Sequence, residues 1–418
     1  MSLLLTLLLL ATTPHAPAAS LAITHVTVID PATSAVDSSM TVVIAGTRIV
    51  ALGPSRTTAV PHGARVVDAS SRFLIPGLWD MHVHLTDATA SAFPRLVANG
   101  IAGVRDMGGN LDTLDRWRGQ IARGERLGPL IVRAGPFVDG PKDITLNRLA
   151  ITTPEAGRRA VDSLADRGVD FIKVHNALPR DAFFAVLSEA RKRHLPVAVH
   201  LPHGLTVAEA SDSGAASLEH IEMFIESAAS RPGATATTID QALSEAQGEA
   251  GAKIFATFVR NHTWYDPTFS AYYRGFVHWG GDPVKVAKRR VVLTKLLALA
   301  GDMHRAGVQF LAGSDFSADS VGVMPGADLH QELAFLVEAG LMPMEALQCA
   351  TINPVRFLGR EDSLGAIAVG KRADLVLLGV GADPLMNINC TRMIDAVVLG
   401  GRLIEIPPPR LARTATHH

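Results

Sequence analysis

The spacing of apolar residues changes along the chain. Near the start, Val26 and Val28 alternate with Thr27 before a turn at Asp30-Pro31. Thr41-Val42-Val43-Ile44, a turn at Ala45-Gly46 and Arg48-Ile49-Val50-Ala51-Leu52 predict a hairpin, and Val66-Val67-Asp68 a further short strand. The far end has the same texture. Ala373–Leu378 reads as a strand, and Ala396–Leu399, Gly400-Gly401 and Arg402–Ile404 read as a second hairpin. Residues 20–73 and 357–406 are therefore expected to form two halves of one small β-sandwich domain. Between them, eight short apolar runs predict strands: Leu74–His84, Ile101–Asp106, Leu130–Ala134, Phe171–His175, Val197–His200, Ser217–His220, Thr263–Thr268 and Val308–Asp315. Helix-length stretches such as Ala182–Arg193 and Val284–Ala306 separate most of them. Alternating β and α segments imply a parallel sheet. Eight units within residues 74–356 imply an α/β fold of (β/α)8 TIM-like barrel type. An open doubly wound sheet would want a glycine-rich turn after its first strand. Here the first strand ends in His82-Val83-His84.

The outermost segments read differently. Leu3 to Ala11 is apolar but too short to span a bilayer, which needs about 20 residues. With the A-x-A-like Ala16-Pro17-Ala18, residues 1–19 read as a signal peptide, although no Lys or Arg precedes the apolar run. The plainer reading is an untargeted apolar N-terminus, which would leave the protein cytoplasmic. A cleaved leader implies a periplasmic or secreted protein with no membrane span in the mature chain. The Pro-rich, then polar, tail 407–418 is expected to be disordered.

Composition narrows the function. The 418 residues are 48% hydrophobic and 19% charged, enough apolar surface for a large core. A net charge of -1 argues against a nucleic-acid partner and for a small-molecule substrate. A homo-oligomer is compatible with this but is not readable. Cys349 and Cys390 alone cannot make a disulfide framework, and Cys349 reads as a packing residue rather than a nucleophile. The 16 histidines stand out against 3 tyrosines and 4 tryptophans.

Their placement matters, because barrel active sites lie at the C-terminal ends of the strands. Strand residues i and i+2 share a face, so His82 and His84 can meet one metal ion. Strand four carries Lys173 and ends at His175; strands five, six and eight end in His200, His220 and Asp315. Any one of these alone is ordinary: a lone strand-end histidine is usually a satisfied polar residue, and a lone strand lysine usually snorkels. The ordered set is far harder to reach by chance.

With these strand ends, several further segments resemble the metal-dependent amidohydrolase superfamily along nearly the whole chain. Leu74–His84 is similar to its first-strand motif, Val104–Gly109 to its second-strand loop, and Ser217–His220 and Ala312–Asp315 to its sixth and eighth strands. Ala346–Pro354 resembles its closing helix, with Cys349 at a position where a small residue, often alanine, is usual. Gly365–Ile367 and Gly370–Leu375 are similar to its return into the β domain. The branch most resembled holds imidazolonepropionase-like and prolidase-like hydrolases. The resemblance implies that His82, His84 and Asp315 hold one divalent metal ion, that His200 and His220 hold a second, and that Lys173, carboxylated by carbon dioxide, bridges them. Imidazole and carboxylate donors suit zinc, whereas an unmodified ammonium has no lone pair to give.

The implied reaction is hydrolysis of an amide bond, in a dipeptide or N-acyl amino acid, by a hydroxide shared between the metals. Asp315 would act as general base and then acid. A mononuclear cyclic-amide hydrolase, a deaminase and a non-catalytic relative are the alternatives. After strand seven, Tyr272 is a candidate oxyanion donor, and Arg274 or His278 a candidate partner for a substrate carboxylate; a lid whose aromatics only pack is the competing reading. His175, His203, Asp139 and Lys142 flank the expected site, with solvated or supporting roles as the alternative.

Overall fold

The computed structural model describes residues 21–88, 90–141, 147–229, 239–279, 283–317 and 324–407. The leader 1–19, Lys142 and residues 408–418 of the tail lie outside them.

The two chain ends meet in one eight-stranded sheet. Its seam is the antiparallel pairing of Leu375–Leu378 with Phe73–Pro76, which sets Leu377 opposite Leu74 and Val376 opposite Ile75. Outward on one side lie Ile394–Leu399 and Arg402–Glu405; on the other lie Leu21–Asp30, Ala35–Ala45 and Arg48–Pro54, with Arg65–Asp68 also paired to Leu21–Asp30. Leu21, Ile23, Leu74, Leu375, Leu377 and Val398 share one apolar cluster, so both ends contribute to a common core. The strands pair along one continuous path.

The expected first strand, Leu74–His84, is two strands. Phe73–Pro76 belongs to the end sheet, and Leu78–Val83 opens the parallel part. The break falls at Gly77, where a Cβ would stand 2.5 Å from Ala102 Cβ and 3.3 Å from the Asp374 backbone. Only glycine lets the chain pass between the two sheets there.

The middle of the chain is α/β, with parallel strands in two arcs. Leu78–Val83, Ile101–Asp106 and Leu130–Arg133 make one. The other runs Arg148–Ala150, Phe137–Asp139, Ile172–Val174, Val197–Val199, Ser217–Glu219 and Trp264–Asp266. Apart from the edge strand Arg148–Ala150, the strands are largely buried on both faces, as in helix-covered parallel sheets. The helices arise where periodicity placed them, at Arg180–Lys192 and Pro283–Arg305 among others. Capping is local: Asn110 accepts from Thr113 N at 3.0 Å at the head of Leu111–Ala122.

The ladder does not close as one continuous sheet. The eighth expected strand, Val308–Asp315, forms only isolated bridges, Phe310 with Tyr265 and, just beyond, Phe316 with Val83. Its last residue, Asp315, leaves the extended conformation for the left-handed region at φ 49°. The segment still bonds both ways: Leu311 N donates to Tyr265 O at 2.9 Å, and Met81 N donates to Ala312 O at 2.9 Å. Among the described residues no helix is long and apolar enough to cross a membrane.

Candidate metal centre

Short strands deliver the polar side chains to one place. His82, His84, Lys173, His200, His220 and Asp315 all line a single cavity of about 270 Å³, together with Asp87, Phe137, His175, Glu222 and Ser317. Asp315 Oδ1 lies 3.1 Å from His84 Nε2 and 3.5 Å from His82 Nε2, and its Oδ2 lies 3.9 Å from His220 Nδ1. The ring of His220 stands 4.8 Å from that of His82 and 4.7 Å from that of His200. Donor atoms of His82, His220 and Asp315 fall within 4.8 Å of one another, a spacing that can hold a divalent ion.

Two of these residues sit on unusual backbone. His220 and Asp315 have φ of 69° and 49°, and Thr268, whose hydroxyl is 2.8 Å from His220 Nδ1, has 49°. Left-handed residues at three strand ends turn side chains out of the regular pleat and toward the axis.

Burial sets the protonation. It pulls His82 down to about 4, helped by the nearby Lys173 charge, and holds His200 and His220 well below the usual histidine value. The imidazoles are therefore neutral, with lone pairs to give. Burial alone would raise Asp315, but His82, His84 and His220 outweigh it and keep the carboxyl well below its usual range. Lys173 is 1% exposed, its Nζ has no hydrogen-bond partner among the described residues, and burial lowers it to about 8. A buried amine without an acceptor is costly. The donor set around it fits divalent ions, and the orphaned Nζ fits a chemical modification that would supply the missing oxygens.

A buried charge cluster lies beneath. Glu219 Oε2 accepts from His82 Nδ1 at 3.1 Å, which leaves Nε2 to face Asp315. Arg105, fully buried, donates to Glu219 at 2.9 and 3.1 Å, to Asp266 at 3.3 Å, to Ser217 Oγ at 3.0 Å and to Met81 O at 2.6 Å. These supporting residues escaped the sequence reading, as did Glu222 at the cavity wall. The available signal was charge at the end of an otherwise apolar strand, as at Arg105-Asp106 in Ile101–Asp106.

Tyr272, Arg274 and the backbone of His278 lie on the helix Phe269–Trp279. Tyr272 is half-buried and packs against the core; burial pushes its phenol up to about 12. Arg274 holds the chain beside the histidine–aspartate cluster: it donates to Ser314 O at 3.1 Å and Asp315 O at 2.7 Å and pairs with Asp328 at 3.0 Å. Tyr272 and Arg274 are not among the side chains that line the cavity, and the side chain of His278 lies outside what is described. His175 lines the cavity with its ring 4.4 Å from that of His200. Asp139 stands behind it, 3.3 Å from His175 Nδ1. His203 is exposed, and Cys349 is buried in the core.

A model of the amidohydrolase family matches residues 73–404, which takes in every strand end named above. The chain belongs to the amidohydrolase family. The family is metal-dependent, and its hydrolases act on C–N bonds. This amidohydrolase is 25% identical over 398 residues to an imidazolonepropionase of Symbiobacterium thermophilum, covering 85% of this chain and 88% of that one. It is 25% identical over 399 residues to an adenine deaminase of Mesorhizobium japonicum, covering 90% of this chain but only 56% of the deaminase. Among solved structures, a putative prolidase from Bifidobacterium longum superposes with a TM-score of 0.74 at 24% identity, covering 95% of this chain and 97% of that one. A Xaa-Pro dipeptidase follows at 0.72 and 22%, covering 92% and 99%. At these identities the structural likeness speaks for the fold.

Proposed function

We propose that this amidohydrolase cleaves the C–N bond of a dipeptide or N-acyl amino acid with two divalent metal ions, zinc being the element its donors suit. The observation that carries the reading is the convergence of four histidines, three of them held neutral by burial, with Asp315 and an orphaned Lys173 on one cavity. His82, His84 and Asp315 would hold one ion, His200 and His220 the other, and Lys173, carboxylated, would bridge them. Bound ions would supply Lewis-acid polarisation of the substrate carbonyl and make water more acidic. The chain's own residues do the rest. Asp315 is a carboxylate at neutral pH, so it starts as the proton acceptor for the attacking water and returns that proton to the leaving nitrogen. Glu219 holds the His82 tautomer, and Arg274 holds the backbone of Asp315. Tyr272 and His278 are left as candidate substrate contacts on the helix that Arg274 anchors.

The same reading treats the two arcs as parts of one (β/α)8 barrel, supported by the hydrogen bonds that residues 309–316 make to both arcs. The end sheet would then be a strongly bent sandwich, and residues 1–19 a leader for export.

The likeness to imidazolonepropionase supports a second reading, a mononuclear cyclic-amide hydrolase. Elemental analysis of the purified protein, with a hydrolysis screen over dipeptides, N-acyl amino acids and cyclic amides, separates the two. The binuclear reading expects two ions per chain and loss of both bridging and turnover in Lys173→Ala. Unchanged stoichiometry and activity in that variant would overturn it.

A further inference from the structure

A second cavity, of about 560 Å³, lies away from the metal cluster. It sits between the helix Leu111–Ala122, the connection leading to Leu130, and the turn of the last hairpin at Leu399–Arg402. Leu130 begins its strand, whereas His84, His200 and His220 directly follow strand ends, so the cavity lies toward the opposite end of the strands from the cluster.

Its lining is strongly basic. Arg118, Arg126, Arg360, Arg372 and Arg402 all face it, and no acidic residue does. Two carboxylates behind the wall compensate in part. Asp170 is shared by Arg118 at 2.8 Å and Arg360 at 3.7 Å, and by Arg133 at 3.5 Å outside the cavity. Asp374 pairs with Arg372 at 2.7 Å. Among the described residues the Arg126 side chain donates only to the neutral Gln120, and it stacks on Phe93 at 5.5 Å. Among the described residues Arg126 and Arg402 have no carboxylate within 4.0 Å. Three of the five guanidiniums thus share two carboxylates, and the other two have none, in a chain whose net charge is -1. The turn is shaped around this charge: a Cβ at Gly400 would stand 2.8 Å from Arg372 Nη2. The remaining wall is apolar, with Ile121, Leu127, Pro129 and Leu399.

We infer that this cavity binds a small organic polyanion, a phosphate ester or polycarboxylate with two or more negative charges on an apolar body. Guanidinium forks suit phosphate and carboxylate oxygens, and the cavity volume is that of an ordinary ligand site. Because the cavity joins the end sheet to the parallel strands and is remote from the cluster, its occupant is an effector or stabiliser rather than the substrate.

Isothermal titration of the full, metal-loaded chain tests this with adenosine diphosphate, citrate and inorganic pyrophosphate as probes, at about 0.15 M salt to screen loose surface attraction. Adenosine diphosphate or citrate should bind with Kd of about 0.1 mM or tighter. The double variant Arg126→Gln/Arg402→Gln breaks no ion pair and should weaken that binding at least about tenfold. A thermal upshift by the same ligand should vanish in the variant. The two organic probes distinguish phosphate from carboxylate chemistry. Pyrophosphate binding as tightly as both overturns the organic class. Absence of binding by all three, or binding unchanged in the double variant, overturns the site.

Discussion

Replacing Arg105 by methionine tests whether the metal centre is held from below by buried charge. The guanidinium is fully buried and donates five hydrogen bonds, two of them to Glu219. Phe171 and Phe357 cover it at 5.7 and 5.1 Å, so methionine has an apolar lining to occupy. What it cannot replace is the countercharge. Glu219 is 0% exposed, and burial alone would push its carboxyl up; Arg105 leads the contacts that hold it down instead. Removing one partner of a buried pair costs about 3–5 kcal/mol, mostly through the charge left behind. The assay is chemical denaturation of the metal-free protein. Arg105→Met should lose about that much stability, and adding Glu219→Gln should restore at least about 1 kcal/mol, because the stranded charge is gone. Metal affinity by competition with a chelator should also fall by about 10–100-fold, since Glu219 orients His82. Arg105→Met within about 1 kcal/mol of the parent, or no recovery in the double variant, refutes the reasoning.

Other substitutions probe neighbouring features. Gly313→Ala would set a Cβ 2.4 Å from Asp266 Oδ2 and 2.6 Å from His82 Cβ, so it should cost about 1–3 kcal/mol and lower metal content; a fully loaded, equally stable variant contradicts this. Arg274→Lys loses the fork that grips Ser314 O and Asp315 O, and should lower kcat more than it raises KM; a pure KM effect would make Arg274 a substrate contact instead. Burial pushes Glu332 up to about 8 from an unfolded 4.5, against the bonds it accepts from Phe269 N and Ser270 N. A raised folded value gives stability that is whole below 4.5 and lost as pH rises through about 8. Glu332→Gln should therefore flatten the pH dependence of the denaturation midpoint across that window, and parallel profiles would contradict it. Burial also pushes the Cys349 thiol up, so alkylation of the folded protein should label Cys390 first and Cys349 only on unfolding; equal labelling rates would contradict this.

What was readable in the sequence was what local geometry determines. His82 and His84, two apart at a strand's end, reach the same cavity, and Lys173 stands out because it interrupts an apolar strand. The end-to-end β pairing was legible because both ends carry the same period-two texture, and Leu377 does meet Leu74. The break at Gly77 and the irregular eighth strand were not, since each follows from a close approach or a left-handed residue that the apolar pattern does not encode. Arg274 was read as facing the substrate, and only the fold shows its guanidinium turned onto the Asp315 carbonyl.

The supporting charges were hidden for a different reason. Arg105 is 114 residues from Glu219 and 161 from Asp266, and their meeting depends on strand register across two arcs. The candidate ligand residues reach the cavity through rules that act over two or three residues. The residues that orient them act through contacts only the assembled sheet creates. A substitution at His82 or Asp315 should thus remove metal binding in a chain that still folds. A substitution at Arg105 or Glu219 should disturb folding and metal binding together, because there the same hydrogen bonds serve both.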